Sequence, residues 1–221
     1  MTRSTLIDVG SAPDLVHTLT DRRETLAFCE SLTAGLASAT VAAVPGASAV
    51  LRGGLVTYAT DLKASLACVP EKILDRYGPV SAVTARHMAR GAQSVCGSTW
   101  GVALTGVAGP DPQNGHPVGE VHIAVAGPSR TVSHPAAEIL ADVVGVSDLS
   151  PDFSQFVQFA LAPGAHEPVR VLVGERQEIR EYAVAAAITA VLHEITIESE
   201  RDLVREQVRE QVREQNGGDN R

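Results

Sequence analysis

Clustered cysteines, long apolar runs and leader signals are all missing from this sequence, and each absence excludes a class of protein. The three cysteines (Cys29, Cys68 and Cys96) show no CxxC spacing, which argues against a zinc site and against a disulfide framework. No apolar run approaches the roughly 18 residues that a membrane-spanning helix needs, and no basic-then-apolar signal opens the chain. We therefore expect a cytoplasmic protein with free thiols and no membrane partner.

Aromatic residues and positive charge are also scarce. Aromatics make up 4% of the 221 residues, so the core must be built mainly from Val, Ala and Leu. The formal net charge of −8 argues against nucleic acid as a partner, although it is compatible with a local basic pocket for a small anion. The length and the 44% hydrophobic content suit one sizeable globular domain.

Short apolar runs and helical patterns alternate along most of the chain, which predicts an α/β fold with helices on both faces of a sheet. Ligands in such sheets lie beyond the carboxyl ends of the strands. Three loops should converge there, namely those that hold Ser31, Tyr58 and residues 106–111. The predicted strands cover residues 26–29, 50–58, 100–105, 118–126 and 169–173, and the predicted helices cover residues 12–23, 33–43, 61–68, 71–77, 85–95 and 177–193.

Two segments depart from this alternation. Residues 128–168 are rich in Pro, Ser, Asp and His, and we predict an inserted arm or hairpin there. Residues 204–215 repeat Val-Arg-Glu-Gln three times; because a four-residue period drifts around a helix, we expect an exposed helical extension rather than an oligomerising coil. The domain should span residues 1–200, followed by a charged helical tail at 201–221 whose end, from residue 216, is disordered.

The most informative stretch joins a buried strand to a segment of small residues through Glu30 and Ser31. A hydroxyl there lies at the carboxyl end of a strand and beside the first free N–H groups of a helix predicted from Thr33. Those groups favour a bound anion or the oxyanion of an acyl-transfer intermediate. The alternative is that Ser31 and Thr33 only cap the helix, and this stretch alone favours the cap.

A second stretch offers a base for this serine. Tyr58 ends a predicted strand, and Lys63 follows five residues later. A lysine can activate a serine only if burial or a neighbouring cation lowers its pKa well below about 10.4. The chain has only two lysines, Lys63 and Lys72, against sixteen arginines, which suggests that an amine able to lose its proton is needed. The alternative is a solvated lysine beside a core tyrosine.

Two further features could contact an anionic ligand. Residues 106–111 form a Gly/Pro-rich loop that is neither a GxGxxG nor a Walker sequence, so it is either a simple tight turn or a cradle for phosphate or ribose. Arg176, at the start of a predicted helix, could bind a phosphate or form a surface ion pair. The seven histidines have no metal-ligand spacing, and no metal site is predicted.

Taken together, six motifs resemble those of the CinA C-terminal domain family, whose members include nicotinamide-nucleotide amidases. Their order and spacing agree over residues 12–127 and again over residues 169–195. The motifs are ESLTAG at 30–35, GLVTY at 54–58 with Lys63, YGPVS at 77–81, TGVAGPD at 105–111, PVG at 117–119 and GER at 174–176.

The resemblance implies a three-layer α/β/α domain with a mixed, mostly parallel sheet, often a homodimer. It implies hydrolysis of the carboxamide of nicotinamide mononucleotide to nicotinate mononucleotide and ammonia, without a metal or other cofactor. Ser31 would be the nucleophile, Lys63 the general base and Tyr58 the hydrogen-bonding partner of Lys63. The oxyanion hole would be formed by N–H groups near Leu32 and Thr33. The expected substrate contacts are Glu30, Leu32, Thr33, Gly35, Thr60, Gly106, Ala108, Gly109, Pro110, Asp111 and Arg176.

Three departures from the family pattern keep other functions open. Thr60 replaces a common Asn, Leu32 replaces a common Cys, and residues 128–168 exceed the usual connection by roughly two dozen residues. One alternative is therefore a module that binds a nucleotide or a partner without turnover. Another is an amidase for a different small carboxamide.

Overall fold

The protein is organised around a five-stranded sheet. A computed structural model describes residues 11–144, 157–161 and 167–217. The strand order is β2-β1-β3-β4-β5, with β1 parallel to β2 and β3, β4 antiparallel to β3, and β5 antiparallel to β4. The strands are β1 (Leu26–Glu30), β2 (Leu51–Val56), β3 (Trp100–Gly106), β4 (Val121–Ala126) and β5 (Thr131–Pro135).

Helices cover both faces of this sheet, and a separate antiparallel pair of strands follows it. The pair consists of β6 (Val157–Ala160) and β7 (Val169–Leu172). A short 3₁₀ turn lies at Ala47–Ala49. The helices are α1 (Ala12–Arg22), α2 (Leu36–Ala42), α3 (Thr60–Ser65), α4 (Glu71–Tyr77), α5 (Ala82–Cys96), α6 (Ala136–Val144) and α7 (Arg176–Gly217). None of the helices in these described ranges is long and apolar enough to cross a membrane.

The alternation of side chains along β1 divides the core into two clusters. Leu26 and Phe28 pack in the larger cluster with residues of α1, α2, α6 and α7. Ala27 and Cys29 face the other way, into a cluster of mostly small residues that includes Met88 of α5. The predicted three-layer α/β/α architecture with a mixed sheet is therefore confirmed.

The predicted inserted arm at 128–168 is wrong in its first part, because residues 131–144 complete the main domain. β5 pairs with β4, and α6 contributes Leu140 to the larger core cluster. The sequence signal was weak because β5 is a polar edge strand that contacts α5 through hydroxyls: Arg86 donates to Ser133 Oγ and Arg90 donates to Thr131 Oγ1. The rest of the predicted arm is described only at 157–161 and from residue 167, and the other positions lie outside the described residues.

The last predicted helix and the predicted tail form one continuous helix, α7, of 42 residues. Ile195 is still buried in the core, whereas Val204 and Val208 are exposed, as expected for a helical extension. The predicted disordered end began at residue 216; residues 216 and 217 still belong to α7, and residues 218–221 lie outside the described residues.

Gly91 of α5 lets this helix approach the segment that follows α3. A Cβ atom at Gly91 would lie 1.9 Å from the carbonyl oxygen of Ala67, so the backbone there leaves no room for a methyl group. Ala67 lies four residues after Lys63, and the Val69 N–H donates to the Lys63 carbonyl. The close approach therefore fixes the position of the helix that carries Lys63.

We predict that Gly91→Ala destabilises the fold by about 2 kcal/mol, because the clash of the added methyl group with the Ala67 carbonyl outweighs the gain in helix propensity. The free energy of unfolding in urea measures this. Ser94→Ala, at an exposed position of the same helix, is the matched control and should stabilise by about 0.5 kcal/mol. A Gly91→Ala protein as stable as the wild type would contradict the steric argument.

Candidate active site

Ser31 lies in a tight turn at the carboxyl end of β1. Its N–H donates to the Leu104 carbonyl at 2.9 Å, which anchors it to β3. Ala34 and Gly35 then adopt left-handed backbone conformations, with φ of 49° and 95°. The helix predicted from Thr33 therefore starts only at Leu36, because three residues are needed to turn the chain.

Glu30 caps α2, and neither Ser31 nor Thr33 does. The alternation along β1 directs its side chain to the same face as Phe28, towards α2. Its fully buried carboxylate accepts hydrogen bonds from the N–H groups of Gly35, Ala37 and Ser38 and from the Ser38 hydroxyl. Glu30 thus occupies the position at which we expected a bound anion, and the expectation that it contacts substrate is corrected.

The side chain of Lys63 reaches Ser31 from α3. Its Nζ lies 3.1 Å from Ser31 Oγ and donates to the Thr57 carbonyl at 2.8 Å. The side chain is buried, with 1% of the residue exposed, and this burial lowers the pKa of Lys63 to about 8. A substantial fraction of the amine is therefore neutral near physiological pH and able to accept the Ser31 proton. The solvated-lysine alternative is excluded.

Tyr58 does not make the expected hydrogen bond with Lys63. The two residues that follow β2 point in opposite directions: Thr57 is fully buried, whereas Tyr58 is 55% exposed. The Tyr58 hydroxyl instead accepts a hydrogen bond from Arg176 at 2.8 Å, and Arg176 also donates to the Gly109 carbonyl. Tyr58 and Arg176 together bridge the rim of the site.

One pocket brings these elements together beyond the ends of the strands, so the predicted convergence of the three loops is confirmed. Thr33, Gly35 and Pro110, which we expected to contact substrate, do not line it, and neither does Glu30. The lining residues that we expected are Ser31, Leu32, Tyr58, Thr60, Lys63, Gly106, Ala108, Gly109, Asp111 and Arg176. The pocket is also lined by five residues that were not among the expected contacts, namely Pro79, Val80, Thr105, Val107 and Gln113.

Known proteins resemble this chain in sequence and in fold. A family model described as the CinA C-terminal domain matches residues 10–141. The chain belongs to this family. A CinA-like protein of Frankia casuarinae is 52% identical over 105 residues, which make up 48% of this chain and 24% of that protein. A putative competence-damage inducible protein of Streptococcus pneumoniae is 48% identical over 116 residues, which make up 52% of this chain and 28% of that protein. The match thus spans about a quarter of the length of these curated relatives.

Solved structures share the fold of this CinA domain. The competence/damage inducible protein CihA from Agrobacterium tumefaciens superposes with a TM-score of 0.63 at 27% identity, covering 82% of this chain and 92% of that one. A competence-damaged protein (CinA) superfamily protein from Escherichia coli gives a TM-score of 0.63 at 21% identity, covering 86% of this chain and 94% of that one. The second likeness shows the fold alone.

The CinA domain also contains an arginine at this turn that was not predicted from the sequence. Arg180 of α7 donates from Nε to the Leu32 carbonyl at 3.1 Å and from Nη2 to the Thr33 carbonyl at 2.8 Å. It lies 147 residues from Thr33 in the chain. No local pattern could have indicated this contact, because only the packing of α7 on the sheet brings the two segments together.

We predict that Glu30→Gln destabilises the CinA domain by about 3 kcal/mol. The side-chain NH2 group of glutamine would point at N–H or O–H donors and could not accept their hydrogen bonds. The substitution preserves side-chain size, so the loss reports the lost carboxylate. Chemical denaturation gives the free energy of unfolding. Ser38→Ala, which removes one of the four donors, is the control and should cost about 1 kcal/mol. Equal losses in the two variants would show that the Glu30 charge does not hold the turn.

Proposed function

We propose that this protein is an amidase that hydrolyses the carboxamide of nicotinamide mononucleotide to nicotinate mononucleotide and ammonia. The observation that carries the proposal is the contact between Ser31 Oγ and the buried amine of Lys63. The lowered pKa of Lys63 supports its role as a general base. Membership of a family whose members include such amidases supports the choice of reaction.

The proposed reaction proceeds through an acyl-enzyme on Ser31. Neutral Lys63 takes the hydroxyl proton as Ser31 Oγ forms a bond to the carboxamide carbon, giving a tetrahedral oxyanion. The Lys63 ammonium then protonates the leaving nitrogen, the C–N bond breaks and ammonia departs. Lys63 next deprotonates a water that attacks the ester, and the proton returns to Ser31 as the C–O bond to the serine breaks. The Thr57 carbonyl keeps the amine oriented throughout.

The rim of the pocket supports a phosphorylated substrate. Arg176 hydrogen-bonds only to neutral oxygens in the described part of the chain and forms no ion pair with a carboxylate there, so its charge is not cancelled locally. A guanidinium in that state suits a phosphate group. In this proposal Tyr58 positions Arg176 and contributes to binding, instead of acting in proton transfer.

The test is ammonia release from nicotinamide mononucleotide by the purified protein. Ser31→Ala and Lys63→Met should each lower kcat by about 100- to 10,000-fold, because each removes a group that the chemical step requires. For the wild type, kcat/KM should rise with pH and level off above about 8, because the base acts in its neutral form and its pKa is about 8.

Lys72→Met is the matched control, since it removes the only other lysine of the chain, at an exposed position. It should leave ammonia release unchanged. Full activity of Ser31→Ala would overturn the proposal. Tight binding of the mononucleotide by the wild type without ammonia release would favour the alternative of a binding module without turnover.

A second test addresses the phosphate. Arg176→Ala should lower kcat/KM for nicotinamide mononucleotide by about 10- to 100-fold, the value of a charge-assisted hydrogen bond. Nicotinamide riboside, which lacks the phosphate, serves as the control substrate, and its kcat/KM should be unaffected by the substitution. An equal loss for both substrates would show that Arg176 supports the loop rather than the phosphate.

A further inference from the structure

The turn after Ser31 has its carbonyl groups bound and two of its N–H groups free. Ala34 N–H donates to the Ser31 carbonyl at 3.0 Å, Arg180 binds the carbonyls of Leu32 and Thr33, and Leu36 N–H donates to the Thr33 carbonyl at 3.1 Å. In the described ranges, no acceptor lies opposite the N–H groups of Leu32 and Thr33. These are the groups from which the proposed oxyanion hole would be built.

Peptide planarity connects Arg180 to both of these N–H groups. In a trans peptide the N–H points opposite to the C=O of the same unit. The bond from Arg180 Nε to the Leu32 carbonyl therefore sets the direction of the Thr33 N–H. The bond from Arg180 Nη2 to the Thr33 carbonyl sets the direction of the Ala34 N–H in the same way. Because the Ala34 N–H donates to the Ser31 carbonyl, it also sets the direction of the Leu32 N–H, which belongs to the same peptide unit as that carbonyl.

The same chain of bonds also polarises the two donors. A cation on a carbonyl oxygen makes the N–H of that peptide a stronger donor, and successive hydrogen bonds reinforce one another. The remaining guanidinium nitrogen donates to Gln177 Oε1 at 2.6 Å, and no carboxylate in the described part of the chain pairs with Arg180. Its positive charge is therefore directed at the turn.

Among the described residues, Arg180 is the only one whose side chain binds the carbonyls of Leu32 and Thr33. The hydroxyl of Thr33 is buried and, within the described residues, has no hydrogen-bond partner, so it does not hold the peptide units in place. Arg180 is itself carried on a well-anchored part of α7, where the neighbouring Ile179 and Ala183 are buried in the core. The guanidinium group is thus presented to the turn from a rigid element.

We infer that Arg180 is a positioning residue that fixes and polarises the turn after Ser31, so that the Leu32 N–H is held ready for the oxyanion. Leu32 lines the pocket and directly follows the nucleophile, which is where acyl-transfer enzymes commonly place such a donor. Arg180 acts from behind the turn and does not line the pocket itself. The inference rests on the proposed function, because it requires Ser31 to be the nucleophile.

The experiment measures the rate at which a small alkyl fluorophosphonate modifies Ser31, followed by mass spectrometry. In this reaction the Ser31 Oγ–P bond forms, the P–F bond breaks, fluoride leaves and the serine proton passes to Lys63. The phosphoryl oxygen needs the same N–H donors as the oxyanion, and no knowledge of the natural substrate is required. Arg180→Ala should slow the modification by about 10- to 100-fold, with the pH midpoint of the rate unchanged.

Three comparisons sharpen this test. Arg180→Lys keeps the charge but not the two-pronged contact, so it should fall between wild type and Arg180→Ala and carries the test if the alanine variant does not fold. Added guanidinium ion at a non-denaturing concentration should partly restore the rate of Arg180→Ala. Arg205→Ala removes an exposed arginine of α7 that pairs with Glu198 and Asp202 and not with the turn, and this variant should react like the wild type.

The contradicting outcomes are distinct. An unchanged rate in Arg180→Ala would overturn this inference while leaving the proposed function intact. A shifted pH midpoint would mean that Arg180 acts through Lys63, which also overturns it. If Ser31 of the wild type is not modified at all, both the proposed nucleophile and the inference fall.

Discussion

The site depends on one constraint, which is that the amine of Lys63 is kept out of water. Lowering its pKa from 10.5 to about 8 corresponds to about 3 kcal/mol against the charged form. Between these two pH values the amine is protonated in the unfolded chain and neutral in the folded chain, so the free energy of unfolding rises with pH across this window. At neutral pH, below both values, burial of this group lowers the stability of the fold. The rest of the fold must compensate for it. The close contact of α5 with Ala67 and the hydrogen bond to the Thr57 carbonyl are two of the features that hold the lysine in place.

The neighbouring carboxylate could undo this arrangement, and the fold prevents it. An ionised carboxylate close to Lys63 would favour the ammonium form and raise its pKa. Glu30 immediately precedes Ser31, yet strand alternation directs it to the opposite face, where four donors from the start of α2 satisfy its oxygens. Glu30 therefore builds the turn that presents Ser31, while no carboxylate in the described part of the chain pairs with Lys63. Glu30 and Ser31 are adjacent yet perform separate tasks, because consecutive residues at the end of a strand point in opposite directions.

The sequence predicted the elements of the site well where the signal was local. A strand followed by a turn and the rarity of lysine made Ser31 and Lys63 candidates, and the resemblance to the CinA family implied their roles. The structure brings the two side chains together. Prediction from the sequence failed where a contact depends on which of two consecutive side chains points inward, or on a residue that is distant in the chain. The buried Thr57 carbonyl, not Tyr58, holds the lysine, because consecutive residues after β2 face opposite ways. Arg180 could not be found from a pattern, and β5 was missed because a polar edge strand lacks an apolar alternation.

Helix α7 joins the two ends of the proposed chemistry. Arg176 and Arg180 lie one turn apart on the same face of α7. This helix therefore places one guanidinium group at the rim of the pocket and a second behind the turn after Ser31. The position of this helix is fixed further along by buried carboxylates: Glu194 pairs with Arg130 through two hydrogen bonds, and Glu198 accepts one from Ser129. Both partners follow β4, so α7 is fastened to the sheet on which β1 and β3 also lie. A shift of α7 would move both arginines together, so the packing of this one helix determines both the rim of the pocket and the turn after Ser31.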